Sequence, residues 1–329
     1  MTAKLLDHSL AASGATPLAL QPIRNWPASK HVFDEASIWA INAAIVSGRP
    51  LLLRGEPGSG KSQLARAAAE ALKRPFLSRV INGRFEPEDL LYRFDAVARL
   101  AMAQILPREP ASMTQLDARN FLVPEILWWA LDHESASAQY NRATPHVGEA
   151  ATRYDEVCGH SFSEGTGAVV LIDEIDKADS EVPNSLLEAL ATSGFQLPFG
   201  GGAVSLSGAR PLIVITTNED RELPPAFIRR CLVHNMDLPV DAGLRMQRLQ
   251  STVRAHFVDQ QVSDDLRDQA IQMLDDDRAR AKQLDLTPPG QAELLDLLTA
   301  VTSLASGAEA SAAALTQLRA FAYSKHRVG

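Results

Sequence analysis

The chain has 329 residues, 46% of them hydrophobic and 22% charged, with a net charge of −8 and a pI near 5.5. The length predicts about two domains of 100–200 residues each, and the composition is that of a globular chain able to bury a large core. The acidic balance weighs against nonspecific binding to nucleic acid or to an anionic membrane surface.

Two cysteines, Cys158 and Cys231, lie far apart in the sequence. They give neither a disulfide framework nor a zinc set, which fits a reducing compartment. His146, Cys158 and His160 match no standard metal spacing. No apolar stretch approaches the roughly 18 residues of a membrane span. Met1–Leu20 lacks a continuous apolar segment, so no signal peptide is read and the cytoplasm is the expected location.

In chain order, residues 1–30 mix Ser, Gly, Thr and Pro among scattered apolars and read as a partly ordered lead-in. Apolar spacing predicts a helix over His31–Ser47, ended by Gly48-Arg49-Pro50. A first strand follows at Leu51–Arg54, then a glycine-rich loop and an Ala-rich helix over Gln63–Leu72. A second strand is predicted over Phe76–Ile81. A long stretch, 108–165, contains an apolar helix over Phe121–Leu131 with the pair Trp128-Trp129. Val169–Ile172 is a continuous apolar run, as a strand buried on both faces should be. A helix over Glu181–Ser193 comes next, and Gly200-Gly201-Gly202, near Phe195 and Phe199, reads as a hairpin tip. Strands over Leu212–Thr216 and Leu232–Met236 complete the set. Helices between strands predict a parallel, helix-covered α/β sheet over 31–238. From about Pro239 only helices are predicted: Leu244–His256, Asp264–Asp275, Gln291–Ser303 and Ala310–Tyr323, a small all-α domain over 239–329. The run Asp275-Asp276-Asp277 reads as a solvated helix end.

Three stretches carry chemistry. Gly55-Glu56-Pro57-Gly58-Ser59-Gly60-Lys61-Ser62 fits the phosphate-binding loop pattern, with a strand before it and a helix after it. Glycines let main-chain N–H groups converge on phosphate oxygens, and the helix start adds its positive dipole end. Gly55, Glu56, Pro57, Gly58, Ser59, Gly60, Lys61, Ser62 and the adjoining Gln63 are the candidate nucleotide-binding residues. Lys61 is expected to reach the β- and γ-phosphates and Ser62 to ligate Mg²⁺. Asp173, at the end of the third strand, is the second candidate Mg²⁺ ligand, and Glu174 beside it the candidate general base. Asn218 ends the fourth strand, where a polar side chain could sit between the γ-phosphate and the attacking water. Arg229-Arg230, before the fifth strand, could serve a neighbouring subunit's site or be a surface pair.

These pieces in this order resemble the AAA+ ATPases, and within them the MoxR-like group, over about Val32–Tyr323. The resemblance implies a P-loop αβα three-layer domain with a five-stranded parallel sheet and a helical lid. It implies ATP and Mg²⁺ as cofactors, and a ring, usually a hexamer, whose sites are completed by neighbours. It puts sensor 1 on Asn218 and the arginine finger on Arg230, with Arg229 second. Asn82 falls where many AAA+ proteins keep a residue that restrains the catalytic Glu. The stretch Gly83–Leu91 and the hairpin region Phe195–Pro211 sit where MoxR-like proteins carry extra elements. The usual sensor-2 arginine position holds Gly290 or Gln291, so lid coupling to the γ-phosphate is expected to be weak or to come from another arginine such as Arg319. The Trp pair is expected in the core or at a partner or subunit contact. The implied function is remodelling or maturation of a client protein, with a von Willebrand factor A partner. The alternatives are an ATP-driven assembly switch in bacterial conflict or signalling, and a nucleic-acid motor, which the acidic charge disfavours.

Overall fold

The computed structural model describes residues 4–12, 16–107, 110–147, 152–162, 166–179, 182–183, 186, 190, 192–257 and 262–323. Its strands are β1 (Leu18–Leu20), β2 (Ser29–His31), β3 (Leu51–Arg54), β4 (Phe76–Val80), β5 (Tyr92–Phe94), β6 (Leu122–Pro124), β7 (Val169–Asp173), β8 (Gly194–Gln196), β9 (Ala203–Ser205), β10 (Leu212–Thr217) and β11 (Leu232–Asn235). Five of them form one parallel sheet in the order β11-β3-β10-β7-β4.

The central strands are apolar runs because both faces of the sheet are covered. Side chains alternate between faces with period two. Leu51, Leu53, Val169, Leu171 and Val214 enter one core with Ile38 and Ile41 of helix Glu35–Ser47 and Leu64, Ala68 and Leu72 of helix Lys61–Leu72. Leu52, Val170, Ile172, Ile213 and Ile215 face the other way and enter a second core with Trp128 and Phe227. The result is the three-layer α/β architecture the sequence predicts.

The lead-in is more structured than expected. β1 pairs antiparallel with β2, and Leu6, Leu20 and Phe33 are buried in the first core. The first helix starts at Glu35, not His31, because Asp34 caps it: its Oδ1 accepts the Ser37 N–H at 2.7 Å.

Within the expected insert, β6 occupies Leu122–Pro124 and pairs antiparallel with β5; the helix is confined to Ile126–Leu131. Trp128 and Trp129 are 2% and 1% exposed. Trp128 donates its indole N–H to Ser135 Oγ at 2.8 Å, and Trp129 packs among Tyr140, Tyr154 and Phe162. The pair is therefore part of the chain's own core. Helix Glu181–Ser193 lies largely outside the described residues. The expected hairpin is present as β8 and β9. Its Phe195 packs against Trp128 and Tyr92, while Phe199 at the tip is exposed.

The C-terminal helices are Ala242–His256, Asp264–Gln283, Gln291–Leu304 and Ala308–Ala322, around a core of Leu249, Ile271, Leu274, Leu294, Leu298 and Leu315. The second runs past the acidic run, of which Asp276 is exposed while its two neighbours are ion-paired. Asp275 pairs with Arg245 at 2.8 Å and Asp277 with Arg319 at 2.7 Å. Among the described residues no helix is long and apolar enough to cross a membrane.

Candidate functional site

Parallel pairing brings three strand ends to one edge of the sheet. Arg54, the last residue of β3, is level with Thr217 of β10, and Ile172 of β7 with Ile215. The glycine-rich loop, Asp173-Glu174 and Thr217-Asn218 therefore emerge side by side. Ligand crevices of open α/β sheets lie at this carboxyl edge.

Gly60, with φ of 91°, turns the loop into helix Lys61–Leu72. The first intrahelical bond runs from Leu64 N–H to Gly60 carbonyl, so the N–H groups of the first turn remain available to an anion. Lys61 is buried, and its ammonium donates to the carbonyls of Gly55 at 2.6 Å and Glu56 at 3.0 Å. Burial pulls its pKa below the ordinary lysine value, opposed by Asp173, Asp237, Asp176 and Glu174.

Ser62 Oγ donates to both oxygens of Asp173, at 2.8 and 3.0 Å. A hydroxyl and a carboxylate brought together on neighbouring elements fit the protein share of a magnesium site, which ordinarily leaves the other positions to water and phosphate. Among the described residues no group of three or more His, Cys, Asp or Glu is placed to hold a metal by itself. Cys158 Sγ donates to the His160 carbonyl at 3.0 Å, and the His160 ring meets Glu70 at 3.0 Å.

Glu174 sits beside Asp173 in a left-handed backbone conformation, φ 60° and ψ 50°. For a residue with a Cβ this costs on the order of 1–3 kcal/mol. Thr216, 1% exposed, holds the turn: its hydroxyl donates to Asp173 Oδ1 at 2.5 Å and accepts the Glu174 N–H at 2.9 Å. Asp176, 2% exposed, accepts the N–H groups of Asn218 at 3.2 Å and Asp220 at 3.0 Å.

These residues border a cavity of about 320 Å³, closed on its other sides by Trp26 and by Gln291, Ala292 and Leu295 of the C-terminal helices. Gly58 is required where they meet. It has φ of 75°, and a Cβ there would lie 3.0 Å from Ala292 Cβ.

Of the expected residues, Pro57, Gly58, Gly60, Lys61, Ser62, Gln63, Asp173, Glu174 and Asn218 line this one cavity. Gln63 commits its amide to the segment before the first helix, donating to the Lys30 carbonyl at 2.7 Å. Arg230 lies outside the cavity and is exposed, on the short helix Pro225–Arg230. Asn82 does not reach Glu174: its Oδ1 accepts the Arg84 N–H at 2.9 Å. Arg319 is committed to Asp277 and does not line the cavity. Sequence reading missed Thr216, Asp176, Asp237 and Trp26. Thr216 carried one signal, a hydroxyl pair ending an otherwise apolar strand.

The arrangement can bind a triphosphate by main-chain N–H groups and one ammonium, hold a divalent cation by Ser62 and Asp173, and present a carboxylate to water. Comparison with protein-family models matches residues 50–231, over half of the chain, to the AAA domain of the dynein-related subfamily. No curated protein matches the chain. AAA proteins in general hydrolyse ATP with Mg²⁺, and the matched residues span the loop, β7 with its acids, β10 and the arginine pair: the chain belongs to the AAA domain family, dynein-related subfamily.

Proposed function

We propose that the protein is a Mg²⁺-dependent ATPase of the MoxR-like kind that works as a ring, a hexamer in form, and remodels or matures a client protein. The observation that carries the hydrolytic half is the Ser62–Asp173 contact with Glu174 fixed beside it. Bound magnesium would supply charge neutralisation at the β- and γ-phosphates. Lys61 exchanges its loop carbonyls for phosphate oxygens, and the first-turn N–H groups orient the same anion. Glu174 accepts a proton from the attacking water, and Asn218 positions that water.

The ring half is supported by the position of Arg230. It is exposed and outside its own chain's cavity, as a residue serving a neighbouring copy would be. The MoxR-like assignment is supported by the β8–β9 hairpin before β10 and by the elements inserted between β4 and β7. A von Willebrand factor A domain protein is the proposed client or partner, in the cytoplasm.

The test is a mixing experiment. Lys61→Ala and Arg230→Ala are each expected to lose turnover, and their mixture to recover part of it, since each copy supplies what the other lacks. No recovery removes the shared site. Glu174→Gln is expected to bind ATP without cleaving it and to retain the client for capture.

A further inference from the structure

A buried cation of the lid reaches the phosphate loop by way of a side chain rather than a phosphate. Arg278, on helix Asp264–Gln283, is 6% exposed. Its Nη1 donates to the Pro289 carbonyl at 2.6 Å and lies 2.8 Å from Glu56 Oε2; its Nη2 donates to Glu56 Oε1 at 3.1 Å. This is a fork-to-fork charge pair, the strongest geometry an arginine and a carboxylate adopt. Pro289 immediately precedes Gly290, the N-cap of lid helix Gln291–Leu304. There the Ala292 N–H donates to the Gly58 carbonyl at 3.2 Å, and a Cβ on Gly290 would stand 3.0 Å from the Pro57 carbonyl oxygen. Arg278 thus grips the start of the lid helix and the second residue of the loop together.

Glu56 passes this grip to the catalytic cation. Its carbonyl accepts from Lys61 Nζ at 3.0 Å, and its N–H donates to Asp237 Oδ1 at 2.9 Å. The lid positions facing the cavity, Gln291 and Ala292, carry no charge, and Arg319 is held by Asp277. We infer that Arg278 is a positioning residue that couples the lid to the phosphate loop through Glu56. The inference rests on the reading of this loop as a nucleotide site. When Lys61 leaves the Glu56 carbonyl for phosphate oxygens, the Glu56 main chain loses its ammonium partner. The change is transmitted to Arg278 and Pro289 by the same residue's side chain. Coupling of this kind is reciprocal, so the lid's hold on Glu56 also sets nucleotide affinity.

The experiment measures binding of a fluorescent ATP analogue with Mg²⁺, and hydrogen exchange over residues 286–295 with and without ATP, on the full chain. In the wild type, nucleotide is expected to slow exchange in that segment. Arg278→Met is expected to weaken binding roughly tenfold and to abolish the nucleotide-dependent slowing. Arg278→Lys, which keeps charge without the fork, is expected to fall between. A residue with a merely structural role would lower thermal stability equally with and without ATP and leave the slowing intact; that result overturns the inference. If Arg278→Met does not fold, Glu56→Gln probes the same link from the other end, with the same loss expected and an unchanged response overturning it. Failure of the wild-type chain to bind the analogue would remove the nucleotide reading itself, and this inference with it.

Discussion

Thr216 Oγ1 donates to Asp173 Oδ1 at 2.5 Å and accepts the Glu174 N–H at 2.9 Å. One buried hydroxyl on β10 therefore aligns both acids at the end of β7. Thr216→Val keeps shape and removes both bonds. Leaving the Glu174 N–H unpaired costs about 1–3 kcal/mol, in a turn already strained at Glu174. Turnover is expected to drop about 10- to 100-fold, the range seen when an outer-shell partner of a ligand is removed. Thr216→Ser retains the hydroxyl and should retain most activity. Steady-state hydrolysis of the pair, with Mg²⁺ titrated, checks this: equal activity of the Val and Ser variants would show that the hydroxyl is idle.

Asp176 performs the corresponding task for Asn218, the proposed sensor 1, since its Oδ2 accepts the Asn218 and Asp220 N–H groups. Asp176→Ala orphans two N–H groups and frees the turn that carries the Asn218 side chain. The expected pattern is a kcat lowered more than nucleotide affinity, because Asp176 bonds the turn that carries Asn218 and reaches Lys61 only through its charge. Equilibrium binding and turnover measured on one preparation separate the two.

Arg49 is the structural support of the arginine pair. Its guanidinium donates to the carbonyls of Arg229 at 2.5 Å, Arg230 at 3.2 Å and Cys231 at 2.9 Å. It thereby satisfies the orphan carbonyls at the end of helix Pro225–Arg230. Arg49→Met should leave ATP binding by each chain intact and lower turnover of the assembled protein. In mixing experiments with Lys61→Ala it should behave like a weakened Arg230→Ala. Wild-type turnover in Arg49→Met would show that the helix end needs no such support.

Trp128 gives a prediction on stability alone. It is buried in the second core and bonded to Ser135. Trp128→Ala is expected to cost about 3–5 kcal/mol through lost burial and the cavity left behind, read as a lower denaturant midpoint. Trp128→Phe should cost less. A Trp128→Ala chain of unchanged stability and altered assembly would restore the subunit-contact reading.

The parallel sheet was legible because its central strands are unbroken apolar runs, as at Val169–Ile172 and Leu212–Thr216; the order β11-β3-β10-β7-β4 was not, since apolar runs do not say which strands pair. The loop and the two acids were legible because phosphate and magnesium chemistry demands fixed residue types at fixed spacing. What stayed hidden depends on distant pairing. Leu122–Pro124 reads as helix from sequence because it is as apolar as the helix after it, and only its partner β5 makes it the strand β6. The acidic run looked solvated because Arg245 and Arg319, its partners, are about 30 and 42 residues away. Arg278 was invisible for the same reason, being 222 residues from Glu56. Gln63 was placed with the loop by adjacency, while its side chain serves the segment at Ser29 and Lys30.

The seam between β2 and helix Ala242–His256 carries a pH dependence. Burial pulls His31 down to about 4, with Asp34 opposing and His256 and Arg248 adding to the shift. Its Nε2 is buried with no hydrogen-bond partner, so the folded state favours the neutral ring. Burial also lowers His234, whose Nε2 meets Ser37 Oγ at 3.0 Å, and His256, whose Nδ1 meets the Thr252 carbonyl at 3.0 Å. The unfolded chain then binds more protons than the folded chain at mildly acidic pH, so stability rises with pH there. It is complete above the ordinary histidine value of about 6.5 and declines as pH falls from there toward 4, the folded value for His31. His31→Phe preserves the ring packing against Phe33 and removes the titrating nitrogen. It should flatten the stability profile between about pH 6.5 and 4 relative to wild type. Denaturant unfolding at half-unit pH steps measures the difference, and parallel profiles for the two chains would show that His31 is not titrating in the seam.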